Sequence, residues 1–165
     1  MSKTNLTQKI PRAALTLLLM LAMSLTASAA TITLNSNTGE VTLQDGDVLT
    51  GTGGQNTRVK IAEGATVTLS GVNITAIANI SIYQWAGITC LGNATIVLAE
   101  GTTNSVKGGY LSSGIYVPDG KTLTLQGSGT LIATGNQHGA GIGSSYQTIL
   151  RQHHHQWRHR HGHWR

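Results

Sequence analysis

From residue 30 to residue 147 the chain is written in short runs in which every second side chain is apolar. Thr31-Ile32-Thr33-Leu34, Val41-Thr42-Leu43-Gln44, Thr66-Val67-Thr68-Leu69 and Thr122-Leu123-Thr124-Leu125 all follow this rule. A period of two places the apolar residues on one face of a strand and leaves threonine on the other. Gly and Asn punctuate the runs, as turns with positive φ require. No stretch carries the 3.6-residue period of a long helix. The pattern predicts an all-β chain.

The runs also repeat. Ile61-Ala62-Glu63-Gly64-Ala65-Thr66-Val67-Thr68-Leu69-Ser70-Gly71 matches Val117-Pro118-Asp119-Gly120-Lys121-Thr122-Leu123-Thr124-Leu125-Gln126-Gly127 without a gap. A weaker copy, Cys90-Leu91-Gly92-Asn93-Ala94-Thr95-Ile96-Val97-Leu98, lies almost midway between them. The copies therefore start at Ile61, Cys90 and Val117, a nearly even spacing in the range typical of solenoids. A unit of this size cannot bury its own apolar face, but stacked copies can. The expected fold is therefore a right-handed parallel β-helix over residues 30–147, incomplete at its C-terminal end. A β-sandwich is the competing architecture, since it also has many short strands, but it gives no reason for the repeat.

Composition changes the picture mainly at the two ends. The chain carries a formal net charge of +5. Residues 30–150 contribute Arg58, Lys60, Lys107 and Lys121 against Glu40, Asp45, Asp47, Glu63, Glu100 and Asp119, a net of −2. A mildly acidic body speaks against nucleic acid as a partner. Gly139-Ala140-Gly141-Ile142-Gly143 lacks the Lys-Ser/Thr ending of a phosphate loop, so nucleotide binding is set aside.

Residues 1–29 read as a Sec signal peptide. Lys3, Lys9 and Arg12 precede the apolar run Ala13–Met23, and Ala27-Ser28-Ala29 supplies the small-residue exit. The apolar run is shorter than the ~20 residues of a spanning helix, so no membrane span is expected in the mature chain. Secretion to the periplasm or cell surface follows. Cys90 is the only cysteine, which leaves no disulfide within the chain to stabilise an exported protein.

Residues 148–165 break the pattern, with His153-His154-His155 and an Arg/His/Trp-rich end. A metal tract or a basic nucleic-acid arm is one explanation. A slipped reading frame is the other, and the genetic code tests it. Read one nucleotide later, each Trp codon gives Gly, His gives Ile or Thr before most of its neighbours here, and Gln gives Asn or Ser. The tail then accommodates G-N-I-T-I-N-G-G-T-V-T-A-T-G, which restores the alternation seen in Gly127–Gly135. The tail is expected to be frameshifted and disordered, with the slip near Thr148.

Gly114-Ile115-Tyr116-Val117-Pro118-Asp119-Gly120-Lys121-Thr122-Leu123-Thr124-Leu125, continuing to Ala140-Gly141-Ile142-Gly143, resembles the repeats of bacterial exported carbohydrate-binding β-helix proteins. That family is related in fold to polysaccharide lyases, and the resemblance spans roughly residues 55–147. It implies a non-catalytic protein that binds a polysaccharide or glycan, with calcium as a candidate ion. A surface adhesin or structural solenoid without a ligand is the alternative. A lyase-like enzyme is more distant, because the body offers few bases and no acidic cluster beyond Asp45-Gly46-Asp47.

Sugar recognition needs aromatic faces with amides and hydroxyls around them. Trp85 and Tyr83, in the irregular link Tyr83-Gln84-Trp85-Ala86-Gly87, are the leading candidates, and Tyr116 is a further aromatic candidate elsewhere in the chain. Packing of Trp85 across a coil edge is the competing role. Asn136 and His138, in a later link, are the polar candidates, with a plain surface role for the histidine as the alternative. Asp45 and Asp47 are the candidate calcium ligands, although Asp-Gly is a turn dipeptide and a turn role is the favoured reading of both. The export signal makes one prediction: the secreted product begins at Ala30, and N-terminal sequencing that finds residue 1 intact refutes cleavage after Ala29.

Overall fold

A computed structural model of the chain describes residues 28–77, 81, 82 and 84–144. The expected signal peptide before residue 28, Tyr83, and the tail from residue 145 onward lie outside the described residues. The described residues form strands without helix, and every strand pairing is parallel. The sandwich alternative is thereby corrected, since a sandwich is built from antiparallel sheets.

The strands stack in three ladders. The first joins β1 (Thr31–Leu34), β3 (Val48–Thr52), β5 (Thr66–Ile74), β7 (Ala94–Leu98) and β10 (Leu123–Gly127) in that order. The second joins β2 (Glu40–Leu43), β4 (Arg58–Ile61), β6 (Ile88–Cys90), β9 (Ile115–Tyr116) and β12 (Ile142–Gly143). In the third, the end of β5 pairs with β8 (Thr103–Lys107), which pairs with β11 (Thr130–Thr134). The chain visits the ladders in turn and lays each strand beside the one from its previous passage. This is the connectivity of a β-solenoid.

Alternation does the packing. On the first ladder Ile32, Leu49, Leu69 and Leu98 form one column, and Val67, Ile96 and Leu125 another. On the second, Val41, Val59, Ile88, Ile115 and Ile142 are in register. Leu49, Leu69, Val67, Ile96, Val59, Ile88 and Ile115 are all buried in one continuous core. Each full burial of a Leu, Ile or Val contributes on the order of 1.5–3 kcal/mol, so the columns carry the fold.

Coil length is not constant. Thr31 pairs with Val48, Val48 with Thr68, Thr66 with Thr95, and Ala94 with Leu123. The first two of these steps are short and the last two are long and equal, the lengthening coming as the third ladder enters. The ungapped sequence match equates Val67 with Leu123, whereas the ladders place Val67 in line with Leu125 through Ile96. The corner Pro118–Thr122 is two residues longer than the corner Leu91–Asn93. An offset of two keeps the inward side chains inward, which is why the repeat still predicts the core.

Corners expose backbone groups, and polar side chains take them up. Asn104 replaces an apolar residue in the inward column between Val72 and Leu131 and is fully buried. Its Oδ1 accepts the Val72 N–H at 3.0 Å, and its Nδ2 donates to the Thr130 carbonyl at 3.2 Å. Three consecutive coils meet at this amide. Replacing Asn104 with Leu keeps the volume but strands a buried N–H and a carbonyl, each costing about 1–3 kcal/mol. Asn104→Leu is expected to lower the unfolding free energy by about 2–3 kcal/mol in urea titrations, and Ser105→Ala, on the outward face, by less than about 0.5 kcal/mol.

Candidate functional site

The first ladder turns into the third through tight corners, but the third returns to the second through longer links. The described parts of these links include Gln84 to Gly87, Gly108 to Gly114 and Gly135 to Gly141. They stack on one another: Gly109 N–H donates to the Trp85 carbonyl at 2.9 Å, and Asn136 N–H to the Ser112 carbonyl at 3.0 Å. Successive coils therefore bring their irregular segments to one edge of the solenoid. Functional side chains on such segments are held by ladders on either side.

At this edge a cleft of about 230 Å³ is lined by Gln84, Trp85, Ala86, Thr89, Ser112 and Tyr116. Thr89 and Tyr116 are neighbours in register on β6 and β9, with Lys60 of β4 next in line. All three have side chains on the outward face, because Ile88, Cys90 and Ile115 point into the core. The structure thus brings Trp85 and Tyr116, predicted separately from the sequence, into one cleft.

Trp85 has a second role. It is half-buried against the apolar core, its indole N–H donates to the Thr57 carbonyl at 3.2 Å, and the Arg58 guanidinium lies 4.0 Å from the ring centroid. A cation over an indole contributes ~0.5–1 kcal/mol at an exposed site. The ring is fixed by these contacts, so any face it offers the cleft is held rigidly. Packing and binding are compatible uses of the same side chain.

The other sequence candidates are placed as follows. Asn136 is buried beside the cleft-lining Ser112, and its Nδ2 has no hydrogen-bond partner among the described residues. His138 is exposed at the tip of its link with φ of +70°, following Gln137 at +43°, and does not line the cleft. Tyr83 lies outside the described residues. Asp45 and Asp47 sit at a different corner. Asp45 Oδ1 accepts the Thr66 N–H at 2.8 Å, and Asp47 accepts the Ala30 and Gln44 N–H groups at 2.9 and 2.7 Å. Their carboxylates are engaged as corner caps. Among the described residues no three His, Cys, Asp or Glu side chains gather as a metal site would require.

Sequence reasoning missed Gln84, Thr89 and Ser112. Thr89 was findable, since it alternates with the inward Ile88 and Cys90. Ser112 was not, because its position depends on how two irregular links stack.

The surrounding charge is modest. Lys60 Nζ donates to Glu40 Oε1 at 2.7 Å and holds that carboxyl below its usual range, with Arg58 adding to the effect. None of the six lining residues is a carboxylate, histidine, cysteine or lysine. The lining offers an aromatic wall, an amide and hydroxyls, which suit recognition of a neutral polyhydroxylated ligand. No helix among the described residues is long and apolar enough to cross a membrane. Comparison of the chain with family models, with curated proteins and with solved structures gives no match.

Cys90 is the one thiol and points into the core, where burial pushes its pKa up from 9.0 to about 11. A rise of that size leaves ~100-fold less thiolate near neutral pH. A thiol reagent at mildly alkaline pH is therefore expected to label the folded chain at least ~100-fold more slowly than the urea-unfolded chain. Because the folded pKa is the higher one, this group's contribution to stability is full below the ordinary thiol value of 9.0 and is lost as pH rises towards about 11. Equal labelling rates in the two states would contradict the buried placement.

Proposed function

We propose that the chain is an exported, non-catalytic carbohydrate-binding protein, a right-handed parallel β-helix that holds a glycan unit in the Trp85–Tyr116 cleft. The carrying observation is the convergence of Trp85 and Tyr116 with Gln84, Thr89 and Ser112 in one cleft at the stacked-link edge. Aromatic faces match the apolar faces of pyranose rings, while the amide and hydroxyls match their polar rims. The cleft volume of about 230 Å³ is below the ~300–1,000 Å³ of pockets that enclose a drug-sized ligand. A single sugar unit of a longer chain fits that scale, with the rest of the glycan running along the outward Lys60–Thr89–Tyr116 column. The right hand rests on the general rule that parallel crossovers are right-handed in about 98% of cases. The resemblance of the Gly114–Gly143 repeat to exported carbohydrate-binding β-helices points the same way. Calcium is not part of the proposal, since Asp45 and Asp47 cap a corner.

One observation favours a second reading, a surface solenoid without a specific ligand. Trp85 is already committed to Thr57 and Arg58 and packs on the core. Glycan-array screening of the mature chain separates the two. The binding reading expects a glycan whose affinity falls about tenfold, equivalent to ~1.4 kcal/mol, in Tyr116→Ala with the fold unchanged. Trp85→Ala is expected to weaken both binding and stability. A folded chain that binds no glycan retires the proposal in favour of the spacer.

A further inference from the structure

The last described coil is uncovered. Ile96 is fully buried because Leu125 lies over it, yet Leu125 itself is 43% exposed. Likewise Ile115 is fully buried beneath Ile142, and Ile142 is 41% exposed. Leu123 and Leu131, which point inward in register with the buried Ala94 and Asn104, are only half-buried. Among the described residues no strand pairs with the far sides of β10, β11 and β12. An end of this kind combines unpaired strand edges with apolar side chains, and stable solenoids cover it.

We propose that this surface is the seat of one further coil, encoded in the reading frame one nucleotide later over codons 151–164. The structure supplies a test of that frame that the sequence pattern alone did not. Codons 157 and 164 encode Trp, so the shifted frame must read Gly at both. Codon 164 lies as far beyond Gly135 as Leu123 lies beyond its ladder partner Ala94. Codon 157 lies one position further than that beyond Gly127. The shifted glycines thus fall one coil on from Gly127 and Gly135. Gly127 has φ of +88°, and a β-carbon there would clash with the Leu98 carbonyl oxygen. Leu98 stands at the Gly127 position one coil earlier, but Gly135 falls in line with Gly108, and neither of those two has room for a β-carbon.

The strands fit as well. Codons 153 and 155 read Ile or Thr in the shifted frame, and they follow Leu123 and Leu125 by the same interval that separates codon 157 from Gly127. Codons 159–164 admit T-V-T-A-T-G, in step with Thr130-Leu131-Ile132-Ala133-Thr134-Gly135 at the interval that separates Leu123 from Ala94. The one-residue difference between the two halves is smaller than the two-residue difference between existing corners. The shifted coil would lay apolar positions over Leu123, Leu125 and Leu131, the side chains left half-covered.

The test compares the full 165-residue chain with a version carrying a one-nucleotide correction near codon 148, each with and without Leu125→Asp. The 165-residue chain is expected to bind a hydrophobic dye, and the corrected chain to unfold at higher urea and to bind less of it. Leu125→Asp is expected to move the urea midpoint at least threefold further in the corrected chain, because only there is the side chain covered. A correction that leaves midpoint and dye binding unchanged, or an equal Leu125→Asp shift in both chains, overturns the proposal. So does an uncorrected chain whose dimer is broken by Leu125→Asp while the correction leaves it intact, which would make a second copy the occupant.

Discussion

Everything in this molecule depends on register between successive passages of the chain. An inward side chain such as Val67 is dry only because Ile96 stands in the same column on the next coil, and Ile96 because Leu125 does. No coil has a core of its own. The parallel ladders and the columns are one constraint seen twice, since a strand that slips by one residue turns its whole apolar face outward. With Cys90 as the only cysteine, no disulfide within the chain can correct such a slip.

The corners must change direction without losing that register, and they do so with side-chain carbonyl groups. Asp45 Oδ1 takes the Thr66 N–H one coil on, and Asn93 Oδ1 takes the Thr122 N–H in the same manner. Asn104 does the equivalent inside the core, linking Val72 to Thr130. At Gly51, φ is +88° and a β-carbon would stand 2.5 Å from the Leu34 carbonyl oxygen. A close approach of coil to coil is thus fixed by glycine, while the amides freed by bending are satisfied by Asp and Asn. The polar residues of this sequence are distributed by that need as much as by solubility.

Much of this was legible in the sequence. Period-two alternation located the strands, and the repeat starting at Ile61, Cys90 and Val117 marked successive coils. The first coils were not legible as repeats, because the short steps from Thr31 to Val48 and from Val48 to Thr68 lack the third ladder. The two-residue error between Val67 and Leu123 was hidden because it conserves side-chain direction. Asp-Gly at residues 45–46 read correctly as a turn, but the carboxylate's bond to the next coil could not be read. Trp85 and Tyr116 were legible as aromatics in a chain with few, yet their meeting depends on links whose course no periodicity describes. Composition alone could never have supplied Ser112.

The candidate site inherits its geometry from the same stacking. Tyr116 stands beside Thr89 because β9 lies on β6, and Ser112 reaches the cleft because Gly109 is bonded to the Trp85 carbonyl. Trp85 is in turn tied to Thr57 on the coil before. Four lining residues therefore come from two coils and are anchored to a third. Such a cleft is pre-organised, so binding would cost little ordering of side chains. The same dependence means that loosening the stack anywhere near these coils would spread the aromatic walls before it unfolded the chain. The geometry of the cleft and the fold are one property here, because the columns that exclude water from the core also set the distance between Trp85 and Tyr116.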